Sequence, residues 1–277
     1  RRAAPARRCP WPQPARGLLA PLFVPADRPE RYAKAAQRSD AVIIDLEDAV
    51  APANKDAARI ALVETPLDPE RVIVRVNPVD SEHFAKDFEA LEQTAYRTVM
   101  LPKCESAEDP SALAGYDVLA LCETAKGITN AGQIAEAPNV VALMWGAEDL
   151  IASLGGTSSR GEDGSYREVA RFARSQVLLH AATHGKAAVD SVYLDIPDLE
   201  GLGAESRDAK ASGFAAKASI HPNQMPVIRE AFAPTEAELD RARRILDAAK
   251  ENPGVFAFEG QMVDEPLLRQ ARATLGR

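Results

Sequence analysis

The stretch that decides the fold is VVALMWGAEDLIASLGG, residues 140–156. Five apolar residues from Val140 to Met144, backed by Trp145, read as a strand buried on both faces, and such runs belong to parallel sheets covered by helices. Gly146 breaks the run, and Leu150, Ile151 and Leu154 resume it at helical spacing. Two adjacent acids, Glu148 and Asp149, stand at the junction. Acids at the rim of an apolar core are costly unless something compensates them, so the compensating partner becomes the question the sequence must answer.

Outward from this unit the same rhythm repeats. Aliphatic runs occur at 18–26, 41–48, 71–77, 98–103, 117–124, 139–149, 188–196 and 216–224. Helical patterns lie between them, at 29–38, 54–64, 81–95 and 165–185, the last closed by Gly185 as a C-terminal cap. Eight strand–helix units predict an α/β (β/α)8 TIM barrel. The chain's 277 residues suit one such barrel, which takes about 250. No strand is followed by a G-x-G-x-x-G or P-loop glycine pattern, which disfavours an open nucleotide-binding sheet. Residues 18–232 therefore read as the barrel and 233–277 as C-terminal helices with a lid segment, NPGVFAFEGQMVD (252–264), whose Pro253, Gly254 and Gly260 suit a bending loop. Residues 1–17, with five Arg, four Pro and no acid, read as a loose N-terminal tail.

Composition narrows the function. A net charge of −8 argues against a nucleic-acid partner. No apolar run approaches the roughly 18–20 residues of a membrane helix. Three cysteines, Cys9, Cys104 and Cys122, form no C-x-x-C pair and fit a reducing compartment, the cytoplasm.

In a barrel of this kind the chemistry lies at the C-terminal strand ends. Strand 2 ends in Asp45, Glu47 and Asp48; strand 3 carries Arg75 and Asn77; strand 4 ends in Lys103, with Glu105 beyond; strand 5 ends in Glu123; strand 6 in Glu148 and Asp149; strand 7 in Asp195; strand 8 in His221. By the two-residue strand period Asp45 and Glu47 share a face and Asp48 points away. One such acid alone reads first as a helix cap, and Asp48 and Glu105 fit that reading. Five or six on one rim repel one another and raise each other's pKa, while only Arg75 and Lys103 stand among them. That leaves room for a hard cation such as Mg2+, held by one or two carboxylates plus water and substrate oxygens. Glu123 can supply one carboxylate and either Asp149 or Glu148 the other. Lys103 reads as a salt bridge before a Schiff-base amine, and His221 as a structural or substrate-side group. No G-x-S-x-G elbow supports a serine hydrolase.

Taken together, LFVPADRPER, VIIDLEDAV, VRVN, VMLPK, ETAKG, WGAEDL, SIHPNQ and FEGQMVD, in this order over residues 20–266, resemble the citrate lyase β-subunit-like proteins. These are phosphoenolpyruvate/pyruvate-dependent aldolase barrels related to malyl-CoA lyases and malate synthases. The resemblance implies a homotrimeric Mg2+ enzyme with Glu123 and Asp149 as metal carboxylates. It implies Arg75 as the arginine for the substrate carboxylate and Asp264 as a catalytic acid on a lid that closes over a neighbouring subunit. Asp45, Glu47, Asp48, Lys103 and Glu148 then surround the ion without binding it. The implied reaction cleaves a short β-hydroxyacyl-CoA, of citramalyl, malyl, citryl or hydroxymethylglutaryl type, to acetyl-CoA and an oxo acid. Arg28 and Arg160 are candidate contacts for CoA phosphates. Two alternatives remain: condensation with thioester hydrolysis, as in malate synthases, and a β-subunit acting on an acyl-carrier thioester inside a citrate lyase complex.

Overall fold

A computed structural model describes residues 19–276. The tail 1–17 and Cys9 lie outside the described residues. Eight parallel strands run in sequence order: β1 Pro21–Pro25, β2 Ala41–Asp45, β3 Val72–Arg75, β4 Thr98–Leu101, β5 Asp117–Cys122, β6 Val140–Trp145, β7 Ala187–Asp190 and β8 Ala216–Lys217. The ring closes where the Phe23 N–H donates to the Ser219 carbonyl at 2.9 Å and the Ser219 N–H to that of Pro21 at 2.9 Å. Helices cover the outside, so the expected TIM barrel is the architecture.

Alternation along the strands divides the core in two. Ile43, Ile73, Leu119, Leu121, Met144 and Val189 fill the barrel interior. Val42, Ile44, Val74, Val118 and Leu143 face the helices. The inward parity, carried one step further, brings Asp45, Arg75 and Glu123 to the mouth.

The last strands are shorter than the sequence suggests. β6 stops at Trp145, so Glu148 and Asp149 sit in the first turn of the helix Ala147–Ser153. β7 stops at Asp190, and Asp195 lies exposed in the following loop. β8 has two residues, and His221 precedes a 3-10 turn, its Nδ1 accepting the Asn223 N–H at 3.2 Å. Backbone bonds continue past these short strands, as from the Ala218 N–H to the Asp190 carbonyl at 3.1 Å, and side chains reinforce them. The fully buried Lys217 donates to Asp190 Oδ2 at 3.1 Å, to Glu205 at 2.7 Å and to the Ser191 carbonyl at 2.8 Å. Arg174 and the Trp145 indole also donate to Asp190, at 2.9 and 2.8 Å.

Past the barrel helix Met225–Phe232, the helix Glu236–Glu251 starts at a capping box formed by Thr235 and Glu238. The segment expected to bend as a loop instead forms a hairpin, β9 Phe256–Phe258 with β10 Gln261–Val263. Its two-residue turn puts Glu259 and Gly260 at φ of 48° and 77°, the positive pair that a tight hairpin turn requires. Phe256, Phe258 and Val263 pack with Ala242, Ile245 and Ala271 into a small core separate from the barrel.

Breaking the buried cluster behind β7 and β8 should be costly. Lys217→Met removes the cation and leaves two carboxylates short of a partner, a change worth about 3 kcal/mol or more. Urea unfolding followed by fluorescence should register that loss; a difference below about 1 kcal/mol would show that Arg174 alone satisfies Asp190.

Candidate active site

The mouth of the barrel holds a cavity of about 210 Å³ lined by Phe23, Asp45, Arg75, Leu121, Glu123, Met144, Glu148, Asp149 and Ser191 among others. A larger groove of about 960 Å³ lies outside the barrel against the helix Leu199–Ser212, but it holds none of the mouth acids. The smaller cavity is therefore where chemistry is concentrated.

The charges there form a chain. β2 and β3 are in register with Asp45 opposite Arg75, and Arg75 donates through Nε and Nη2 to the two Asp45 oxygens at 2.7 and 2.6 Å. Its Nη1 lies 2.8 Å from Glu47 Oε2, and its guanidinium carbon sits 4.9 Å from the centre of the Phe23 ring. Burial opposes the charge on Arg75, but Asp45, Glu47 and Glu123 outweigh it and hold the group protonated. Asp45 also accepts the Glu47 and Ala49 amides at 2.9 and 3.2 Å, which fixes the loop after β2. That loop is held from beneath by Lys55, which donates to the Leu46 and Glu47 carbonyls at 2.8 and 2.9 Å and to Asn77 at 2.8 Å. Asn77 is thereby turned to structural use, and its amide groups reach Asp87 and the Leu46 carbonyl.

Lys103 is the second cation. Its ammonium bonds Glu47 and lies 3.4 Å from Asp48 and 3.5 Å from Asp149. Its own amide donates to Glu123 Oε1 at 3.1 Å, from a backbone at φ 49°. Glu47 and Asp45 are buried, whereas Asp48 is exposed. The cap readings of Asp48 and Glu105 are corrected: Asp45 serves the loop after β2, and Glu105 accepts the Thr124 hydroxyl at 2.8 Å while Asp109 receives the Glu105 and Ser106 amides. Glu148, which also lines the cavity, accepts the Ser159 hydroxyl at 2.6 Å.

Glu123 is the mouth acid whose carboxyl is pushed up to about 8. It is 3% exposed, and the cause is burial first, then the charges of Asp149 and Glu47. Burial likewise raises Glu47, against the pull of Arg75 and Lys103. Gly146, just past the end of the neighbouring strand β6, leaves the space Glu123 needs: a Cβ there would lie 2.6 Å from Glu123 Oε2 and 2.9 Å from its Cβ. Sequence reading took Gly146 only as the break in the apolar run, although a glycine at the end of an apolar strand also signals such close approach. It passed over Ser191, which the inward parity of Val189 places at the mouth.

A hard cation fits this donor set. Two carboxylates face one cavity, one of them held high by burial and then by its neighbours' negative charge, and a divalent ion would offset the negative charge of both. Among the described residues no cluster of three or more His, Cys, Asp or Glu could hold an ion alone, so substrate and water oxygens would complete the shell, as is usual for Mg2+.

The remaining candidates stand farther out. Asp264 is the N-cap of the helix Glu265–Leu275, accepting the Leu267 amide at 3.5 Å. Arg160 is engaged: it donates to Glu205 at 2.8 Å and stacks 3.7 Å from the Tyr166 ring centre. Arg28 is about half exposed, 3.9 Å from Asp27.

A parallel barrel with a carboxylate cavity and a buried arginine at its C-terminal mouth defines an aldolase-type barrel enzyme. The chain belongs to the HpcH/HpaI aldolase/citrate lyase family, whose model matches residues 19–222. It is 57% identical over 256 residues to a citrate lyase subunit beta-like protein of Mycobacterium tuberculosis, covering 92% of this chain and 94% of that one. It is 33% identical over 288 residues to the human mitochondrial citramalyl-CoA lyase, covering 92% of this chain and 83% of that one. The crystal structure of protein CitE from Mycobacterium tuberculosis in complex with magnesium, acetoacetate and coenzyme A superimposes with a TM-score of 0.91 at 56% identity, over 93% of this chain and 96% of that one. Among the described residues no helix is long and apolar enough to cross a membrane.

The raised Glu123 carboxyl gives a pH signature. Its folded pKa lies above the unfolded value, so the native state keeps a proton there that the unfolded chain releases. Stability should then fall as pH rises from the ordinary carboxylate range toward about 8. In EDTA, thermal melts of the wild type should show this decline, and Glu123→Gln, neutral throughout, should be flatter over the same window. Parallel curves for the two proteins would place the titration elsewhere.

Proposed function

We propose that this protein is a Mg2+-dependent carbon–carbon lyase. It cleaves a short β-hydroxyacyl-CoA, of citramalyl, malyl, citryl or hydroxymethylglutaryl type, to acetyl-CoA and an oxo acid. The observation that carries the reading is the convergence of Glu123, Asp149 and Arg75 on one small apolar-walled cavity. The ligands of the similar mycobacterial structure, an oxo acid, magnesium and CoA, support it.

Glu123 and Asp149 would hold the ion, which supplies Lewis-acid polarisation of the oxo acid's oxygens when bound. Asp45 takes two of the five guanidinium donors of Arg75 and Glu47 lies against a third nitrogen position, so the remaining donors are free for a substrate carboxylate. Arg75 thereby orients the oxo acid half and offsets the negative charge that develops there. Phe23, Leu121, Met144 and Val192 line the cavity and limit water. In the cleavage direction the hydroxyl gives its proton to solvent water and becomes the new oxo group. The carbon–carbon bond electrons pass to the thioester α-carbon, which takes a proton from Asp264, and the solvent returns a proton to Asp264 after each turnover. Glu47, Asp48, Lys103 and Glu148 hold the surrounding geometry. The open guanidinium of Arg28, more than the engaged one of Arg160, suits a CoA phosphate.

Asp264 does not line the cavity of its own chain. Its role therefore requires a neighbouring copy, in a homotrimer whose C-terminal units close over one another's barrels and exclude water. Cys104 and Cys122 are free buried thiols, which suits a reducing cytoplasmic setting.

The test is a panel of the four acyl-CoA types with MgCl2, chromatographed for acetyl-CoA. Release of acetyl-CoA and an oxo acid, abolished by EDTA, is expected from one or more; free CoA instead would indicate hydrolysis, and no turnover of any would overturn the reading. On the active substrate Arg75→Lys keeps the charge but loses the planar fork, and turnover should drop by roughly two orders of magnitude. A variant within a few-fold of wild type would reduce Arg75 to its salt bridge with Asp45.

Subunit mixing checks the lid. Asp264→Asn and Glu123→Gln should each be nearly inactive, and co-refolded mixtures should regain activity where a wild-type lid meets a wild-type mouth. Mass spectrometry would verify that mixed oligomers form; mixed but inactive oligomers would confine Asp264 to its helix-capping role.

A further inference from the structure

Lys103 does more at this mouth than a surface ion pair does. Its ammonium touches carboxylates from two different segments: Glu47 and Asp48 after β2, and Asp149 after β6. At the same residue the amide binds Glu123. The backbone sits in the left-handed region, which a non-glycine residue keeps only when its surroundings demand it. That conformation lets one residue address the two carboxylates, Glu123 and Asp149, that face the cavity.

We infer that the Lys103 ammonium is an internal stand-in for the divalent cation: it neutralises the acid ring before loading and releases Asp149 when the ion arrives. The inference rests on the cation reading above. Its physical basis is that one carboxylate, Asp149, is offered to two positive charges. An ammonium 3.5 Å from Asp149 and a divalent ion on the same oxygens repel each other, weakly screened in a half-buried site. A lysine suits the exchange because its charge is compact and its stem flexible, and Glu47 and Asp48 remain to receive it after Asp149 is given up. Lys103 is thus a positioning residue whose charge lowers the affinity for the ion while keeping the ion-free protein intact.

Calorimetric titration with MgCl2 at pH 8.5, without substrate, tests this. Lys103→Met keeps the stem and removes the charge. It should bind Mg2+ at least about tenfold more tightly than wild type, melt several degrees lower in EDTA and gain more from added Mg2+. An unchanged or weaker affinity would overturn the inference, because a lysine that merely supports the fold would not make the ion bind better when removed. If the single variant does not fold in EDTA, the comparison is Glu47→Gln against the double variant Glu47→Gln/Lys103→Met, which removes both ends of the ion pair; the double variant should again bind more tightly. Wild type must show saturable binding that Asp149→Asn abolishes. If it does not, the cation reading itself fails, an outcome distinct from wild-type binding that Lys103→Met leaves untightened.

Discussion

The ion pair of Arg75 with Asp45 is the contact from which the mouth is built. Both partners are inward-facing residues of adjacent strands, nearly removed from water, so neither charge could stand alone there. Each also has a second task. Asp45 collects the amides of Glu47 and Ala49 and so shapes the loop that follows it. Arg75 lies beside Glu47, which in turn engages Lys103, whose reach extends to Asp149. Remove the guanidinium and the sequence of alternating signs loses its first link.

Two charged systems occupy different parts of the barrel, one at the mouth around β2, β3 and β5 and one behind β7 and β8, and their balance tells them apart. Behind β7 and β8, Asp190 and Glu205 meet Lys217, Arg174 and Arg160, with a partner for every charge. At the mouth the four carboxylates of Asp45, Glu47, Glu123 and Asp149 outnumber the cations Arg75 and Lys103 set among them. The first arrangement is complete and holds helices to the barrel. The second keeps an excess of negative charge, and an excess that folding tolerates is the mark of a site awaiting a positively charged partner.

Much of this was legible in the sequence. Eight aliphatic runs separated by helical patterns specify the barrel, because strands buried on both faces admit few polar residues. The mouth acids stood out for the same reason. The shortfall has physical causes. Asp190 and Lys217 lie inside apolar runs and satisfy each other at 3.1 Å, a pairing between residues 27 positions apart that no local pattern reveals. β7 was read too long because the loop after it continues the aliphatic composition in Val192, Leu194 and Ile196, and β8 because Ala218 and Ile220 do the same beyond Lys217. The hairpin at Glu259 and Gly260 was hidden because two three-residue strands carry too little alternation to be separated from a loop. The left-handed backbone of Lys103 has no signal in residue type at all.

Alternation along β2, β3 and β5 has a consequence for how such a barrel can diverge. Within each strand one parity serves the chemistry and the other serves the contact with helices. Deleting a single residue between Ile73 and Arg75 would turn the guanidinium under the helices and bring Val76 to the mouth, undoing both faces at once. Substitutions can be absorbed one position at a time; changes of strand length cannot. Variation in substrate should therefore enter this lineage through the lengths of the loops beyond the strands and through side chains on the inward parity, with the strands themselves fixed in count and phase.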